Sequence, residues 1–587
     1  MNMFGKIVYI SDNVAHVAVL KDAPVIMNIM NMHVVFEDEN KRILGEVEDV
    51  SADVIKIRFL GELADGKFIG GVLRKPNLTA TTRIINQDEL KIIMGEKGHG
   101  QLMLGMSPLY EDMPVMVDIN ELSSNHMAIF GNTGSGKSYG VARYLQSIFY
   151  NPEFVPYKSN FMIFDAYGEY HNAFQNINQI NPNYNFKFYT TNKAQLKEGG
   201  EMLRIPLWLL TIDDFALLLN AEKHSQLPII ERMLKLVRVF ATDGDLCTRY
   251  KNHLIAKAIM DIMYTNQTAA SKRNDIFAIL ASCSTDQFHL EAPVQGLGYV
   301  RKFRECFLID TSGQFTESIL ITQYITSFID EELEKYEPTS DHFFTLEDME
   351  KALQFTLISE GLLRNERLYD EAITLKVRLH SIAIGEAKEF FSYPQYINME
   401  NYVASLVTRN GRKAQIVNFN LEDADDRIAK TIVKIYSKLF FDFTKRLNER
   451  ASIPFHIVLE ESHRYVQSDN DNFLLGYNIF ERIAKEGRKF GLLLLLISQR
   501  PVELSETVIS QCSSFLIFKM THPRDLDYLK KMLPNMSSEI MEKQKSLQSG
   551  TCVAFGRAFK IPMIVRMPLP NPEPYSTNAD VVGRWTH

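Results

Sequence analysis

The first 95 residues alternate apolar and polar side chains in short runs. Residues 6–10 and 16–20 are two such runs, and polar turns at residues 11–13 and 65–66 interrupt the pattern. Because successive side chains of a β-strand point to opposite faces, a period of two is typical of half-buried strands. The pattern therefore predicts an all-β domain over residues 1–95. We favour a small β-barrel, and an open sandwich is the alternative.

Beyond residue 96 the pattern changes to short, continuous apolar runs followed by helical stretches. Residues 127–130, 161–164 and 186–189 are such runs. Strands that are apolar on both sides are typical of a parallel sheet covered by helices on both faces. We therefore expect residues 96–209 to form the first part of an α/β core.

The chain between residues 210 and 395 reads as mainly helical, with amphipathic stretches at 227–239 and 319–336 and few convincing strands. We interpret it as a helical insertion. Strands resume after it, and the second part of the core is expected over residues 396–566, with a Pro-rich, extended arm at 567–587. The expected strands of this second part are 414–419, 455–459, 492–497, 515–518, 551–555 and 561–565.

Composition narrows the class of protein. The chain has 587 residues, 45% of them hydrophobic and 23% charged, as expected for a folded, soluble protein of several domains. Its five cysteines show no CxxC or Cys/His spacing, which argues against a zinc site and a disulfide framework and favours the cytoplasm. The longest apolar run, 491–497, is far shorter than the roughly 20 residues of a membrane span.

The strongest chemical signal is a glycine-rich stretch between an apolar strand and a predicted helix. Its spacing matches the Walker A loop, whose backbone N–H groups bind the phosphates of a nucleotide. Lys137 is expected to contact the β and γ phosphates of ATP, and Ser138 to ligate Mg²⁺. The predicted nucleotide-binding residues are Gly131, Asn132, Thr133, Gly134, Ser135, Gly136, Lys137, Ser138 and Tyr139.

A second signal is the acidic pair Glu460 and Glu461, which follows the apolar run 455–459. Ligands of parallel sheets bind at the carboxyl ends of the strands, so the pair is placed as a Walker B motif would be. Glu460 stands where Asp is usual and is the predicted second Mg²⁺ ligand. Glu461 is the candidate to orient and polarise the attacking water. The alternative for such a pair is a solvated loop.

Three further sets of polar residues are candidates for the same site. Gln499, after the run 492–497, is predicted to sense the γ phosphate, although a strand-end amide that binds backbone is the alternative. Arg488 and Arg500 could reach a phosphate in the same subunit, or in a neighbouring one as an arginine finger. Asp165 and Glu169 could tune the metal shell, or they could simply form a turn.

Taken together, these motifs and their order resemble the HerA family within the HerA/FtsK class of P-loop ATPases. The resemblance rests on the leading β-domain, on the motifs at 126–138, 164–170 and 205–208, and on the motifs at 460–463, 487–491 and 498–501. It implies a RecA-like ATPase core, a homo-hexameric ring with nucleotide at subunit interfaces, and a channel for double-stranded DNA. It also implies that the barrel docks a partner enzyme, either a nuclease or a sirtuin-type NAD-consuming enzyme, in DNA processing or anti-phage defence.

Two functions remain open at this point. One is an ATP-driven translocase or helicase on duplex DNA. The other is a nucleotide-gated scaffold that regulates its partner with little motor action, which the net charge of −8 modestly favours because it gives no overall attraction to DNA. A protein translocase of the AAA+ type and a small-molecule kinase fit less well. The first would need an arginine sensor domain after the core, and the second would have no use for Glu461 as a water-activating base.

Overall fold

The computed structural model describes most of the chain. The described residues are 4–20, 29–38, 41–110, 113–241, 244–335, 342–359, 366–468, 471–532, 544–576 and 581–586.

The N-terminal domain is an antiparallel sheet in the order β1-β2-β5-β4-β3-β7, with β6 paired to β5. The strands at the two ends of this order, β1 and β7, approach within 8 Å, so the sheet curls toward a barrel around its own apolar core. Its strands are β1 (Phe4–Ile10), β2 (Val14–Val19), β3 (His33–Asp38), β4 (Lys41–Val50), β5 (Val54–Ala64), β6 (Lys67–Gly70) and β7 (Thr81–Ile84).

The all-β expectation for residues 1–95 is wrong at its end, because helix α1 (Gln87–Met94) follows β7. Asn86 accepts a hydrogen bond from the backbone of Glu89, and the Glu89 side chain accepts one from the backbone of Asn86. This reciprocal capping box starts the helix. The two residues stand three apart in the sequence, so the helix could have been predicted from them.

The α/β core is built on one mixed sheet of twelve strands, in the order β13-β12-β18-β11-β19-β20-β10-β21-β22-β23-β8-β9. The first eight strands in this order run parallel and the last four antiparallel. The α/β fold class is therefore confirmed. The strands are β8 (Gln101–Met106), β9 (Pro114–Asp118), β10 (His126–Phe130), β11 (Phe161–Asp165), β12 (Phe186–Thr190), β13 (Glu201–Met202), β18 (Ile416–Asn420), β19 (Phe455–Leu459), β20 (Leu492–Ser498), β21 (Cys512–Phe518), β22 (Thr551–Gly556) and β23 (Met563–Arg566).

Strand order explains how distant sequence motifs meet. β20 lies between β10 and β19 and is parallel to both, with Ile129 opposite Ile497 and Leu459 opposite Leu496. The carboxyl ends of the three strands therefore share one edge of the sheet, where binding sites of open α/β folds form.

Helices cover both faces of the sheet and dominate the insertion between β13 and β18. Those of the core are α2 (Ile119–Ser123), α3 (Lys137–Phe149), α4 (His171–Phe174), α13 (Asp426–Arg446), α14 (Asp471–Leu475), α15 (Ile479–Arg482), α16 (Arg488–Phe490), α17 (Glu506–Ser510) and α18 (Pro523–Met532). The expectation of an extended arm at 567–587 is wrong at its end, because residues 581–586 form a helix, α19 (Val581–Thr586). Those of the insertion are α5 (Ile212–Leu218), α6 (Gln226–Phe240), α7 (Gly244–Met263), α8 (Ala269–Ser282), α9 (Ser318–Thr326), α10 (Leu346–Ser359), α11 (Glu366–Ile384) and α12 (Met399–Leu406).

The insertion also contains two small hairpins, β14 (Pro293–Gln295) with β15 (Val300–Lys302) and β16 (Thr408–Arg409) with β17 (Arg412–Lys413). Strands of two or three residues give too little alternation to be recognised in a sequence. Among the described residues, no helix is both long and apolar enough to cross a membrane.

Candidate active site

The loop that follows β10 is shaped by its glycines. Gly134 and Gly136 have φ values of +75° and +91°, a region that residues with a side chain rarely adopt. A Cβ atom on Gly136 would also lie 2.6 Å from the backbone nitrogen of Gly550. The backbone conformation therefore favours glycine at both positions, space also excludes a side chain at Gly136, and the loop leads directly into helix α3 at Lys137. Backbone N–H groups of such a loop and the positive end of the helix favour an anion.

Lys137 is buried between the two acidic residues that follow β19. Its Nζ atom lies 2.9 Å from Glu460 Oε1 and 3.5 Å from Glu461 Oε1, and its side chain is 5% exposed. Burial alone would lower the pKa of Lys137, but the two carboxylates outweigh it and raise the pKa above its ordinary value. The lysine thus stays charged in the free protein. The two carboxylates balance its charge at the position where a bound phosphate would contact it.

Glu460 is fixed on its other side by a tyrosine. Tyr170 donates its hydroxyl hydrogen to Glu460 Oε2 at 2.7 Å, and both side chains are buried. Glu460 is therefore held at both oxygens, by Lys137 and by Tyr170. The sequence offered no signal that Tyr170 would reach Glu460, because 290 residues separate them.

Glu461 has an unusual backbone and a network of its own. Its φ of +47° is rare for a residue with a side chain and turns the carboxylate into the site. Gln499 Nε2 donates to Glu461 Oε1, and the Thr133 hydroxyl donates to Gln499 Oε1 at 2.5 Å. His463 Nδ1 lies 3.2 Å from Glu461 Oε2. The network links the glycine-rich loop to the acidic pair.

The electrostatics of Glu461 follow from these contacts. Burial would raise its pKa, but His463, Lys137 and Gln499 lower it to about 2. Glu461 is thus a carboxylate throughout the physiological range of pH. We did not predict His463 as a site residue, although its position two residues after Glu461 at a strand end could have suggested it.

Asp165 and Glu169 lie at the same edge, after β11. Asp165 is fully buried and accepts hydrogen bonds from the backbone of Glu169 at 3.0 Å and of Tyr170 at 2.9 Å. It therefore folds the loop that carries Tyr170 and Glu169. The Glu169 side chain lines the site, and its Oε2 atom is buried with no hydrogen-bond partner.

These groups surround a cavity of about 440 Å³. Gly131 and Ser135 lie outside its lining, and Asn132 also donates to Thr521 at 2.8 Å. Four residues from the C-terminal part of the chain were not predicted. The lining residues are Asn132, Thr133, Gly134, Gly136, Lys137, Ser138, Tyr139, Tyr167, Glu169, Glu460, Glu461, Gln499, Ser549, Gly550, Leu569 and Ser576.

The two candidate arginines lie elsewhere. Arg488 precedes β20, at the opposite edge of the sheet from the cavity, and donates to Asn125 at 3.1 Å. The expectation that Arg488 reaches the phosphate of its own subunit is therefore wrong. Arg500 is next to Gln499, but its side chain points outward, is 66% exposed and pairs with Glu503 at 3.0 Å.

The cavity fits a nucleoside triphosphate with a hard divalent cation. The loop supplies N–H groups and one lysine, and the unpartnered oxygen of Glu169 is an acceptor for a bound water or hydroxyl group. No cluster of three His, Cys, Asp or Glu side chains that could hold a metal ion occurs among the described residues. Mg²⁺ in nucleotide sites takes few protein ligands and most of its oxygens from phosphate and water.

Glu169 gives a pH-dependent prediction for the free protein. Burial first, and then the charge of Glu460, raise its pKa to about 7. An acid whose pKa is raised on folding binds more protons when folded, so its stabilising effect is present below its unfolded pKa and is lost as pH rises through about 7. Glu169→Gln should therefore stabilise the protein at pH 8, by on the order of 1 kcal/mol because water partly screens the site, and have little effect at pH 4 to 5. Thermal unfolding in EDTA without nucleotide, at both pH values, measures the difference, and equal effects at both would contradict the assignment.

The chain is similar in sequence, and in part in fold, to known proteins. A family model described as "Helicase HerA, central domain" matches residues 102–287. The chain is 24% identical to the probable helicase MJ1565 of Methanocaldococcus jannaschii, over 89% of this chain and 78% of the relative. It is 22% identical to the DNA double-strand break repair helicase HerA of Pyrococcus furiosus, again over 89% and 78%. Among solved structures, VirB4 of Thermoanaerobacter pseudethanolicus aligns with a TM-score of 0.44 at 12% identity, over 81% of this chain and 97% of VirB4.

Proposed function

We propose that the chain, which belongs to the HerA family of P-loop ATPases, is a DNA motor. In this proposal it couples ATP hydrolysis to movement along double-stranded DNA or to unwinding of the duplex. The observation that carries the proposal is the buried contact of Lys137 with Glu460 and Glu461, beside a glycine-rich loop. A lysine after β10 and two carboxylates after β19, on either side of β20, are the kind of groups that phosphoryl transfer to water uses.

Each residue then has a role in hydrolysis. Lys137 leaves the carboxylates and contacts the phosphates, which are stronger partners because they carry more charge. Ser138 and Glu460 would hold Mg²⁺, which when bound offsets the negative charge of the phosphates. Glu461 orients and polarises the attacking water, and Gln499 ties its carboxylate to Thr133 on the glycine-rich loop. Gln499 contacts both Thr133 and Glu461, so binding of a γ phosphate at the glycine-rich loop alters the position of Glu461.

The rest of the proposal concerns assembly. A homo-hexameric ring would bring an arginine from a neighbouring subunit to each site, and Arg500 is the better candidate because it is exposed and near the cavity edge. The N-terminal domain would dock the partner enzyme, a nuclease or a sirtuin-type enzyme. Exposed apolar side chains on β1, Val8 at 61% and Tyr9 at 55%, support a contact surface there.

Stimulation of hydrolysis by DNA tests the motor directly. Duplex DNA added to the purified protein should raise the steady-state rate of phosphate release severalfold. Since contact with DNA phosphates releases counterions, the stimulation should fall steeply between about 50 mM and about 200 mM salt. A malachite-green assay with and without a blunt duplex, over a salt series, measures both effects.

A scaffold would give a different result. If the ring only gates a partner enzyme, ATP hydrolysis should be indifferent to DNA at every salt concentration and should respond to the partner instead. The formal net charge of −8 is the observation that favours this alternative. The same assay with the product of the neighbouring gene added therefore separates the two functions.

A further inference from the structure

Residues 567–576, which we name the C-terminal strap, leave the sheet after β23 and cross the helix that follows the glycine-rich loop. The strap begins beside that loop, because Met567 donates its N–H to Gly550 O at 2.9 Å and Gly550 donates to Ser135 O at 2.9 Å. It then runs along α3, where the Gln146 side chain accepts from Asn571 N at 2.9 Å and donates to Pro572 O at 2.8 Å.

The strap then returns to the other side of the cavity. Tyr139 donates its hydroxyl to Glu573 Oε2 at 3.1 Å, and Asn172 donates to Glu573 O at 2.8 Å. Tyr575 N donates to Glu169 O at 2.8 Å. The strap is thus attached at both sides of the cavity, near the glycine-rich loop and near Glu169, and it forms part of the wall.

Leu569 is the apolar side chain that the strap presents to the cavity. It lines the cavity and is 70% exposed, so its apolar surface is available to a ligand that enters there. The charged groups of the lining, Lys137, Glu460 and Glu461, belong to the sheet edge, where the phosphates must bind. With its phosphates at the sheet edge, a nucleoside triphosphate therefore has its nucleoside next to the strap.

We infer that the strap forms the nucleoside subsite, with Leu569 packed against the face of the base and Tyr139 held beside it by Glu573. The inference rests on the proposed function, since it assumes that the loop binds a nucleoside triphosphate. Two hydroxyls of the lining lie beside the subsite: Ser549 donates to Gly134 O at 3.1 Å, and Ser576, in the strap itself, donates to Glu169 Oε1 at 3.3 Å. An apolar contact to a base face discriminates weakly between purines, so ATP and GTP should bind alike.

Leu569→Ser tests the subsite, with inorganic tripolyphosphate as a probe that lacks a nucleoside. The variant should raise the Kd for Mg–ATP and for Mg–GTP by about fivefold to tenfold, because it removes apolar area from the contact. The Kd for Mg–tripolyphosphate should not change. Isothermal titration of the full-length protein measures all three, and Leu297→Ser, at a side chain that is 99% exposed and outside the cavity lining, is the matched control.

The outcomes separate this inference from the proposed function. If the wild-type protein binds neither ATP nor tripolyphosphate, the proposed function fails. If it binds both and Leu569→Ser leaves the Kd for ATP unchanged, the subsite is wrong while the function stands. Equal weakening of ATP and tripolyphosphate would also overturn the subsite, since the strap would then act on the phosphate end. A second variant that ends the chain after Met567 should repeat the pattern of Leu569→Ser.

Discussion

Lys137→Ala should abolish ATP hydrolysis and also destabilise the free protein. The first effect is expected because the phosphates lose the lysine that follows the glycine-rich loop, and turnover should fall by at least about 10²-fold. The second follows from the geometry, because Glu460 would be left buried without a counter-charge and Glu461 would lose one of the groups that stabilise its carboxylate. Removing one partner of a buried ion pair costs about 3 to 5 kcal/mol. Phosphate release and thermal unfolding, both measured without DNA, report the two effects.

Another buried lysine provides the control for loss of stability. Lys434 in α13 pairs with Asp471, and its side chain is 3% exposed. Lys434→Ala should lower the melting temperature by a similar amount, yet leave nucleotide binding intact at a temperature where the protein is folded. Lys137→Arg, which keeps the charge, should restore stability without restoring turnover. Hydrolysis retained in Lys137→Ala would contradict the role given to the lysine.

The chemistry of the site was largely readable from the sequence because each motif is local. The glycine-rich loop between an apolar strand and a helix, and the acidic pair after another strand, carry their own structural context. The structure brings Lys137, Glu460, Glu461 and Gln499 together at one edge, since parallel strands align their carboxyl ends.

Other parts of the site depend on contacts across the chain and could not be predicted. Tyr170 and Glu460 meet only because β11 and β19 are neighbours, and Leu569 reaches the cavity only because the strap bends back along α3. Nothing in a Pro-rich segment predicts where it will attach.

The placement of Arg488 was an avoidable error. Residues that precede a parallel strand lie at its amino end, and Arg488 stands four residues before β20. It therefore had to lie at the edge opposite Gln499, which follows the same strand. The sequence alone could have excluded a contact between Arg488 and a phosphate of the same subunit.

Glu461→Gln should leave ATP bound but not hydrolysed, with turnover lower by about 10²-fold to 10⁴-fold. Glutamine is nearly the same size but cannot accept a proton from water or polarise it as a charge does. The substitution leaves Lys137 paired with Glu460, so stability should be unchanged or higher, opposite to Lys137→Ala. One negative charge fewer beside the triphosphate should also keep affinity equal to the wild type or stronger. Filter binding of radiolabelled ATP and single-turnover hydrolysis separate the two steps, with Glu506→Gln, an exposed carboxylate outside the cavity lining, as control. Loss of binding in Glu461→Gln would show that this carboxylate holds the nucleotide in place, which would contradict the role of activating water.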